Sequence, residues 1–323
     1  MLLYQRIHQR CPPPQVLDTL LADPAPLSAP EFVAQFARVR ARNPHYAKTL
    51  VKALIDNWPA IDQAVPIDPG PTHPVYLDEW LYEQYVELLP VPPPGPTASD
   101  LITYTFGPVA LDIHETPHLI CAQGTTGLRT WEAALYLCHY LQQHQNEHGP
   151  DGPGHVTSAL ELGAGTALVS LVWAQLNSTR DFSLYVTDGD RSLVDTCAKP
   201  NFDRNGLVGP RFHFQKLWWG ADPVPKVDLV LAADVTYDSA AVPHLVACVA
   251  TALHQGAHHA LVAATLRNSD TIRVFEAACS AAGLNCTVLQ STETSDPTEF
   301  VRNCTFKPLI APIRIYEITL CSR

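Results

Sequence analysis

The 323-residue sequence is 46% hydrophobic and 16% charged, and it is long enough for one large domain or for two smaller domains with buried cores. Its formal net charge of −11 argues against nucleic-acid and anionic-membrane partners, since both need a cationic surface, and is compatible with a protein partner that presents basic residues. The sequence has no apolar leader and no apolar stretch of about 18 residues, and its nine cysteines form no C-x-x-C pair, so we expect a cytosolic protein with reduced thiols and no metal site.

Residues 1–89 are predicted to form a helical N-terminal module. Apolar residues recur at helical spacing in three segments, and the first segment starts with a capping-box pattern in which Ser28 is followed three residues later by Glu31. The next stretch, PVPPPGPTAS at 90–99, contains five prolines. Because proline lacks a backbone N–H, this stretch cannot be regular helix or central strand, and we expect a linker.

From residue 100 onward, apolar runs alternate with amphipathic segments. The predicted strands are 156–162, 183–187, 211–217, 227–235, 259–266, 285–290 and 313–320, and the predicted helices include 166–176, 190–199, 239–254 and 269–282. Such alternation is typical of a mostly parallel sheet with helices on both faces. Residues 100–323 therefore predict an α/β domain with a Rossmann-like, seven-stranded sheet, and the strand-rich tail predicts that the last strand inserts antiparallel.

The segment LELGAGTALV runs from an apolar strand into a glycine turn. In a doubly wound sheet ligands bind beyond the carboxyl ends of the strands, where Gly163 and Gly165 allow close approach of backbone N–H groups. Asp188 lies 23 residues beyond Gly165, about the distance at which an acidic residue meets a ribose hydroxyl pair. A nicotinamide dinucleotide normally requires a third glycine, where this chain has Leu168. Glu161 before the turn suits S-adenosylmethionine instead, because a carboxylate can orient its cationic methionine end directly or through water.

Four motifs in this order and spacing resemble those of the seven-β-strand methyltransferases of family 16: LELGAGTALVSL, YVTDGD, KLWWGAD and LVLAADVTYD. Lysine-directed members carry a D-x-x-Y motif after the fourth strand, matched by Asp234 and Tyr237, and a tryptophan before the first strand, matched by Trp131. Within the family, AQGTTGLRTWEAALYL and AATLRNSDT most resemble the elongation factor 2 lysine methyltransferase subfamily. The resemblance implies a monomeric protein-lysine N-methyltransferase that uses S-adenosylmethionine and acts on elongation factor 2.

The same resemblance, carried over by position, implies a set of cofactor contacts. They come from Trp131, Gly163, Ala164, Gly165, Asp188, Trp219 and Ala233, in addition to Glu161 from the glycine turn. Trp219 occupies the aromatic position beside the adenine, while Trp218 stands where relatives often carry a carboxylate. Core packing is the alternative role for Trp131 and Trp219, because tryptophans are also good packing residues.

Asp234 and Tyr237 are the predicted catalytic residues. Asp234, at the end of the fourth strand, can accept hydrogen bonds from an incoming amine, and Tyr237 can turn its hydroxyl or ring toward the same point. A general-base role suits Asp234 poorly, because an ordinary carboxylate is far too weak a base for an ammonium. Alternatively, Asp234 caps the helix that follows it.

Two other function classes stay open at this point. One is a methyltransferase of the same fold that acts on another protein or on a small amine, and the other is a non-catalytic binding module. The three histidines of ALHQGAHHA have no carboxylate or cysteine at ligand spacing, so we expect them in a loop or at a helix end rather than around a metal.

Overall fold

The computed structural model describes residues 2–23, 25–71, 73–119, 126–149, 155–294 and 311–321. The chain forms two compact units that divide after Tyr104. Within the described ranges, none of the helices combines the length and the apolar character needed to cross a lipid bilayer.

The first unit is helical, as its sequence pattern predicts. Its helices are α1 (Leu2–His8), α2 (Pro13–Ala22), α3 (Ala29–Arg42), α4 (Pro44–Asp56), α5 (Trp58–Ala64) and α6 (Leu77–Leu88), and its strands β1 (Leu27–Ser28) and β2 (Ile67–Asp68) pair in parallel. The core contains Phe36, whose ring meets Trp80 edge-on with centroids 5.2 Å apart. Residues 90–99, the proline-rich stretch, form neither helix nor strand.

The predicted capping box of α3 does not form. Ser28 precedes the helix in an extended conformation and pairs with Asp68, but its side chain makes no capping hydrogen bond with the described residues. The Glu31 carboxylate instead accepts a hydrogen bond from the Gln35 side chain one turn later, at 2.6 Å. The start of α3 is therefore fixed by the short strand pair rather than by reciprocal side-chain caps.

The second unit contains the predicted α/β sheet. Strand β3 (Asp100–Phe106) crosses the division between the units and is followed by β4 (Val109–Glu115). The main sheet consists of β5 (Ser158–Leu162), β6 (Ser183–Asp188), β7 (Phe212–Lys216), β8 (Leu229–Ala233), β9 (His259–Thr265), β10 (Leu284–Ser291) and β11 (Ile313–Leu320). Its helices are α7 (Glu132–Gln143), α8 (Leu168–Leu176), α9 (Arg191–Leu193), α10 (Lys199–Arg204), α11 (Val242–His254) and α12 (Ser269–Ala281), and a π-helix, Val194–Ala198, joins α9 to α10.

The strand order is β10-β11-β9-β8-β5-β6-β7. Strand β11 pairs antiparallel with both β9 and β10, whereas β5 to β9 pair in parallel. This arrangement confirms the predicted Rossmann-like sheet with an inserted antiparallel last strand. Strands β6 and β7 follow β5 on one side of it in the sheet, whereas β8 and β9 lie on its other side. The order therefore reverses between β5 and β8, and the carboxyl ends of these strands frame the crevice where ligands bind in such sheets.

Candidate active site

A cavity of about 540 Å³ opens at the carboxyl ends of β5, β6 and β8. Its volume lies within the range of roughly 300–1,000 Å³ that small-molecule sites occupy. All the residues predicted for the site line it: Trp131, Glu161, Gly163, Ala164, Gly165, Asp188, Trp219, Ala233, Asp234 and Tyr237. The fold thus brings together residues that are more than 100 positions apart in the chain (Thr126 and Tyr237, for example, are 111 apart).

The glycine turn after β5 leaves no room for side chains. Gly163 and Gly165 have φ values of +66° and +54°, in the left-handed region that favours glycine. A Cβ atom at Gly163 would lie 2.8 Å from a methyl carbon of Val235, and one at Gly165 would lie 3.1 Å from the carbonyl oxygen of Gly127. Since both positions have a positive φ and neighbouring atoms too close for a Cβ, the turn presents bare backbone to the cavity at Gly163 and Gly165.

Asp188 ends β6 and closes one wall of the cavity. Its two carboxylate oxygens accept the backbone N–H groups of Gly165 and Asp190, each at 3.1 Å. Burial raises the pKa of Asp188, although the two amide donors act in the opposite direction. The hydrogen bond from Gly165 connects Asp188 directly to the glycine turn. The carboxylate and the turn, which the sequence predicts to bind the same ligand, are therefore in contact.

Glu161, the second-to-last residue of β5, is almost completely buried beneath the turn. One of its carboxylate oxygens accepts the backbone N–H of Ser170 at 3.0 Å, which satisfies a free amide in the first turn of α8. Burial raises the pKa of Glu161 to about 8. A cation bound beside it would favour its charged form.

Three tryptophans surround the cavity in different ways. The indole N–H of Trp219 is buried and has no hydrogen-bond partner among the described residues, while part of its ring packs on the core. The indole N–H of Trp131 donates to the carbonyl of Thr126 at 3.0 Å. Trp218 is 59% exposed and lies over Gly189. Trp219 therefore combines the core role and the cavity-lining role that the sequence left as alternatives.

Asp234 lies just beyond β8 in a strained conformation, with a φ of +55° that is uncommon for a residue other than glycine. Its backbone N–H donates a hydrogen bond to the carbonyl oxygen of Ala263 at 2.9 Å. Its carboxylate accepts the N–H of Thr265 at 3.2 Å and two N–H groups of Arg267, at 3.1 and 3.3 Å. The alternative role as a helix cap is wrong, because α11 begins only at Val242.

Arg267 and its neighbours form a charged network that the sequence interpretation missed. Besides Asp234, the Arg267 guanidinium contacts the Glu132 carboxylate at 3.5 Å, and Glu132 also pairs with Arg129 at 3.1 Å. The guanidinium carbons of Arg129 and Arg267 lie 4.2 and 4.8 Å from the centroid of the Trp131 ring. The sequence position of Arg267 could have indicated its place in the site. It follows the end of β9 by two residues, and the carboxyl ends of the neighbouring parallel strands β8 and β9 meet at the same edge of the sheet.

Tyr237 lies at the mouth of the cavity with its side chain well exposed. Its hydroxyl is 3.5 Å from the hydroxyl of Thr126, at the limit of a hydrogen bond. The ring of Tyr237 is therefore free to contact a segment of another molecule that enters the cavity.

The three histidines of ALHQGAHHA lie in three different kinds of local structure. His254 ends α11 and His258 lies in a loop, as predicted, but His259 is the first residue of β9. Its ring nitrogen lies 3.1 Å from a ring nitrogen of His148, and burial lowers the pKa of both to about 4. The described part of the chain contains no group of three or more potential metal ligands.

Comparison with known proteins identifies the family. The model of the lysine methyltransferase family matches residues 111–280. The protein-lysine N-methyltransferase EFM3 of Saccharomyces cerevisiae is 40% identical and covers 98% of both chains. EFM3 of Chaetomium thermophilum is 34% identical over 54% of this chain and 52% of that protein. The human protein-lysine N-methyltransferase EEF2KMT is 30% identical over 74% of this chain and 71% of the human protein. The chain belongs to the lysine methyltransferase family and is a protein-lysine N-methyltransferase.

Proposed function

We propose that this enzyme methylates a lysine of translation elongation factor 2 and that it works as a cytoplasmic monomer. The carrying observation is the similarity to the human protein-lysine N-methyltransferase EEF2KMT, which is 30% identical over 74% of this chain. The similarity to EFM3 over nearly the whole chain supports a protein substrate. The motifs AQGTTGLRTWEAALYL and AATLRNSDT support the same substrate, because they resemble the elongation factor 2 subfamily. Residues 122–125 of the first motif lie outside the described residues.

The cavity fits S-adenosylmethionine. The backbone of Gly163 to Gly165 would approach the methionine and ribose portions, and the Asp188 carboxylate would accept hydrogen bonds from the ribose hydroxyls. The ring of Trp219 would lie beside the adenine, where its unpartnered N–H can find an acceptor. Glu161 would face the cationic methionine end, which offsets the cost of its buried charge.

The substrate lysine must be neutral to react. Its reference pKa is about 10.4, so forming the neutral amine near pH 7.4 costs roughly 4 kcal/mol. The bound donor supplies a methyl carbon on a positively charged sulfur, and the amine lone pair forms the new N–C bond while the C–S bond breaks and leaves S-adenosylhomocysteine. Asp234 would accept a hydrogen bond from an amine N–H and so orient the nitrogen lone pair toward the methyl carbon. The Tyr237 ring would form one side of the opening through which the lysine enters.

The test is methylation of purified elongation factor 2, read by mass spectrometry on intact protein and on peptides. We expect one lysine to gain mass, and an arginine replacement at that lysine to abolish the gain. Asp234→Ala should bind S-adenosylhomocysteine normally and lose at least about 100-fold in turnover. Transfer to a different protein or a small amine, with elongation factor 2 unmodified, would overturn the proposed substrate. Uptake of a nicotinamide dinucleotide in place of S-adenosylhomocysteine would overturn the whole assignment.

A further inference from the structure

We propose that Arg267 is a positioning residue that balances the charge of Asp234, so that a substrate lysine is held in the site as a neutral amine rather than as an ammonium. The inference rests on the proposed role of Asp234 beside the reacting nitrogen. It concerns a residue that contacts the donor or the acceptor only through Asp234.

The Arg267 guanidinium is held by its bonds to Asp234 and by contacts with Trp131 and Glu132. Two of its nitrogens reach the two carboxylate oxygens at 3.1 and 3.3 Å, the fork-like pairing that arginine makes with carboxylates. The Asp234 side chain is only 6% exposed, whereas the Arg267 side chain is 38% exposed, so the carboxylate is shielded from solvent and the guanidinium only in part. The Trp131 ring and the Glu132 carboxylate hold the guanidinium in this orientation.

The pairing leaves Asp234 able to receive an amine. An ionised carboxylate has about four lone-pair positions, of which the described chain fills three. Arg267 and the backbone N–H of Thr265 occupy one oxygen, and Arg267 alone occupies the other. One acceptor position on Oδ2 therefore remains for a lysine N–H.

Within the salt-bridge network that contains Asp234, the charges cancel. Arg129 and Arg267 contribute two positive charges to the network, and Glu132 and Asp234 contribute two negative charges. The other titratable residues that line the cavity are Glu161, Asp188, Asp190, Tyr237, Asp238 and His244. Loss of Arg267 would leave one uncompensated negative charge next to the acceptor site.

An uncompensated carboxylate would oppose the reaction. An opposite charge within about 4–6 Å favours the charged form of a group by roughly 1–3 pKa units, so an isolated Asp234 would hold lysine as the ammonium. The ammonium has no lone pair and cannot take a methyl group. With Arg267 in place, Asp234 can orient the amine without stabilising its unreactive form.

A calorimetric test avoids any dependence on the protein substrate. Sinefungin resembles S-adenosylmethionine but carries a cationic amine in place of the methylated sulfur, whereas S-adenosylhomocysteine is neutral at that position. We expect Arg267→Gln to raise the preference for sinefungin over S-adenosylhomocysteine at least fivefold at pH 7. Arg267→Lys, which keeps the charge, and Arg267→Gln with Asp234→Asn, which removes both charges, should return the preference close to that of the wild type.

Two further readouts complete the experiment. Arg273→Gln, at an exposed arginine of α12, is the control and should change nothing. In the methylation assay, Arg267→Gln should shift the acid limb of the kcat/KM profile about one pH unit upward, and Arg267→Lys should shift it back. An unchanged ligand preference in Arg267→Gln would overturn the role of Arg267 alone. Wild-type protein that binds neither ligand would instead overturn the proposed function.

Discussion

The Glu161 carboxylate accepts the backbone N–H of Ser170 at 3.0 Å from a position that is 2% exposed. Burial raises the pKa of Glu161 to about 8, so the folded protein keeps a proton that the unfolded chain releases above about 4.5. The contribution of Glu161 to the free energy of unfolding should therefore fall as the pH rises from 5 to 8. Glu161→Gln cannot release this proton, and the wild-type value should decline relative to the variant by at least about 1 kcal/mol.

Urea unfolding at pH 5, 6.5 and 8 measures this difference. Glu83→Gln, at an exposed position of α6, is the matched control and should follow the wild type at every pH. Parallel curves for the wild type and Glu161→Gln would contradict the burial of a titrating carboxyl beneath the glycine turn.

Gly163 should tolerate no side chain, whereas a comparable glycine elsewhere should tolerate one at modest cost. Gly163 and Gly206 have nearly equal φ values, +66° and +70°, but a Cβ at Gly206 would meet nothing within 4 Å. Gly206→Ala should cost about 1 kcal/mol from backbone strain alone. Gly163→Ala should cost about 1–3 kcal/mol more because of the clash with Val235, and should weaken binding of S-adenosylhomocysteine.

Thermal unfolding and calorimetry of both alanine variants check this pair. Equal losses at the two positions would show that strain, rather than close packing against the turn, explains the glycine at 163.

The partly buried indole of Trp219 should report on the donor. We expect Trp219→Ala to lose about 10-fold in affinity for S-adenosylhomocysteine, the loss that an aromatic contact of about 1.4 kcal/mol implies. Trp219→Phe keeps an aromatic ring but removes the unpartnered N–H, so it should fall between the wild type and the alanine variant. Trp58→Phe, in the first unit, serves as the control in the same titration. Full affinity in Trp219→Ala would assign this residue to core packing alone.

His148 and His259 should make the protein sensitive to acid. Burial lowers the pKa of both to about 4, so they are neutral in the folded protein but gain protons in the unfolded chain below about 6.5. Their contribution to stability is present above pH 6.5 and is lost as the pH falls toward 4. Between pH 7.5 and 5 the wild type should lose at least about 1 kcal/mol more than the double glutamine variant.

Denaturant unfolding of the two proteins at both pH values gives the comparison. His73→Gln, an exposed histidine, should behave as the wild type does. The prediction is wrong if the double variant is as sensitive to acid as the wild type.

The sheet could be predicted because its strands are short apolar runs between amphipathic helices, and that pattern depends on local sequence. Strand β8, LVLAA, is apolar throughout because neighbours cover it on both sides. The cavity followed from topology, since the glycine turn and Asp188 each end a strand at the same edge. The capping box of α3 was wrong although it is a local pattern, and the pairing of Ser28 with Asp68, which lies 40 residues further along the chain, could not be predicted from the sequence around Ser28.

The charged network around Trp131 could not be predicted from any local pattern. Arg267 and Glu132 are 135 positions apart, and only the adjacency of β8 and β9 brings Arg267 to Asp234. The sequence indicates that Asp234 follows a strand, but not that its carboxylate is already paired. A single residue in the left-handed conformation is likewise invisible in a strand-like sequence.

The insertion of β11 between β9 and β10 has a consequence for synthesis of the protein. In the described sheet β10 is joined through β11 alone, so it has no pairing partner until residues 313–320 have been translated. Strands β5, β6 and β7 can pair during translation, since all three are complete by residue 216. A nascent chain that ends before residue 313 would thus carry the strands that frame the cavity beside an unpaired edge of β9, and such an edge is prone to pair with another chain.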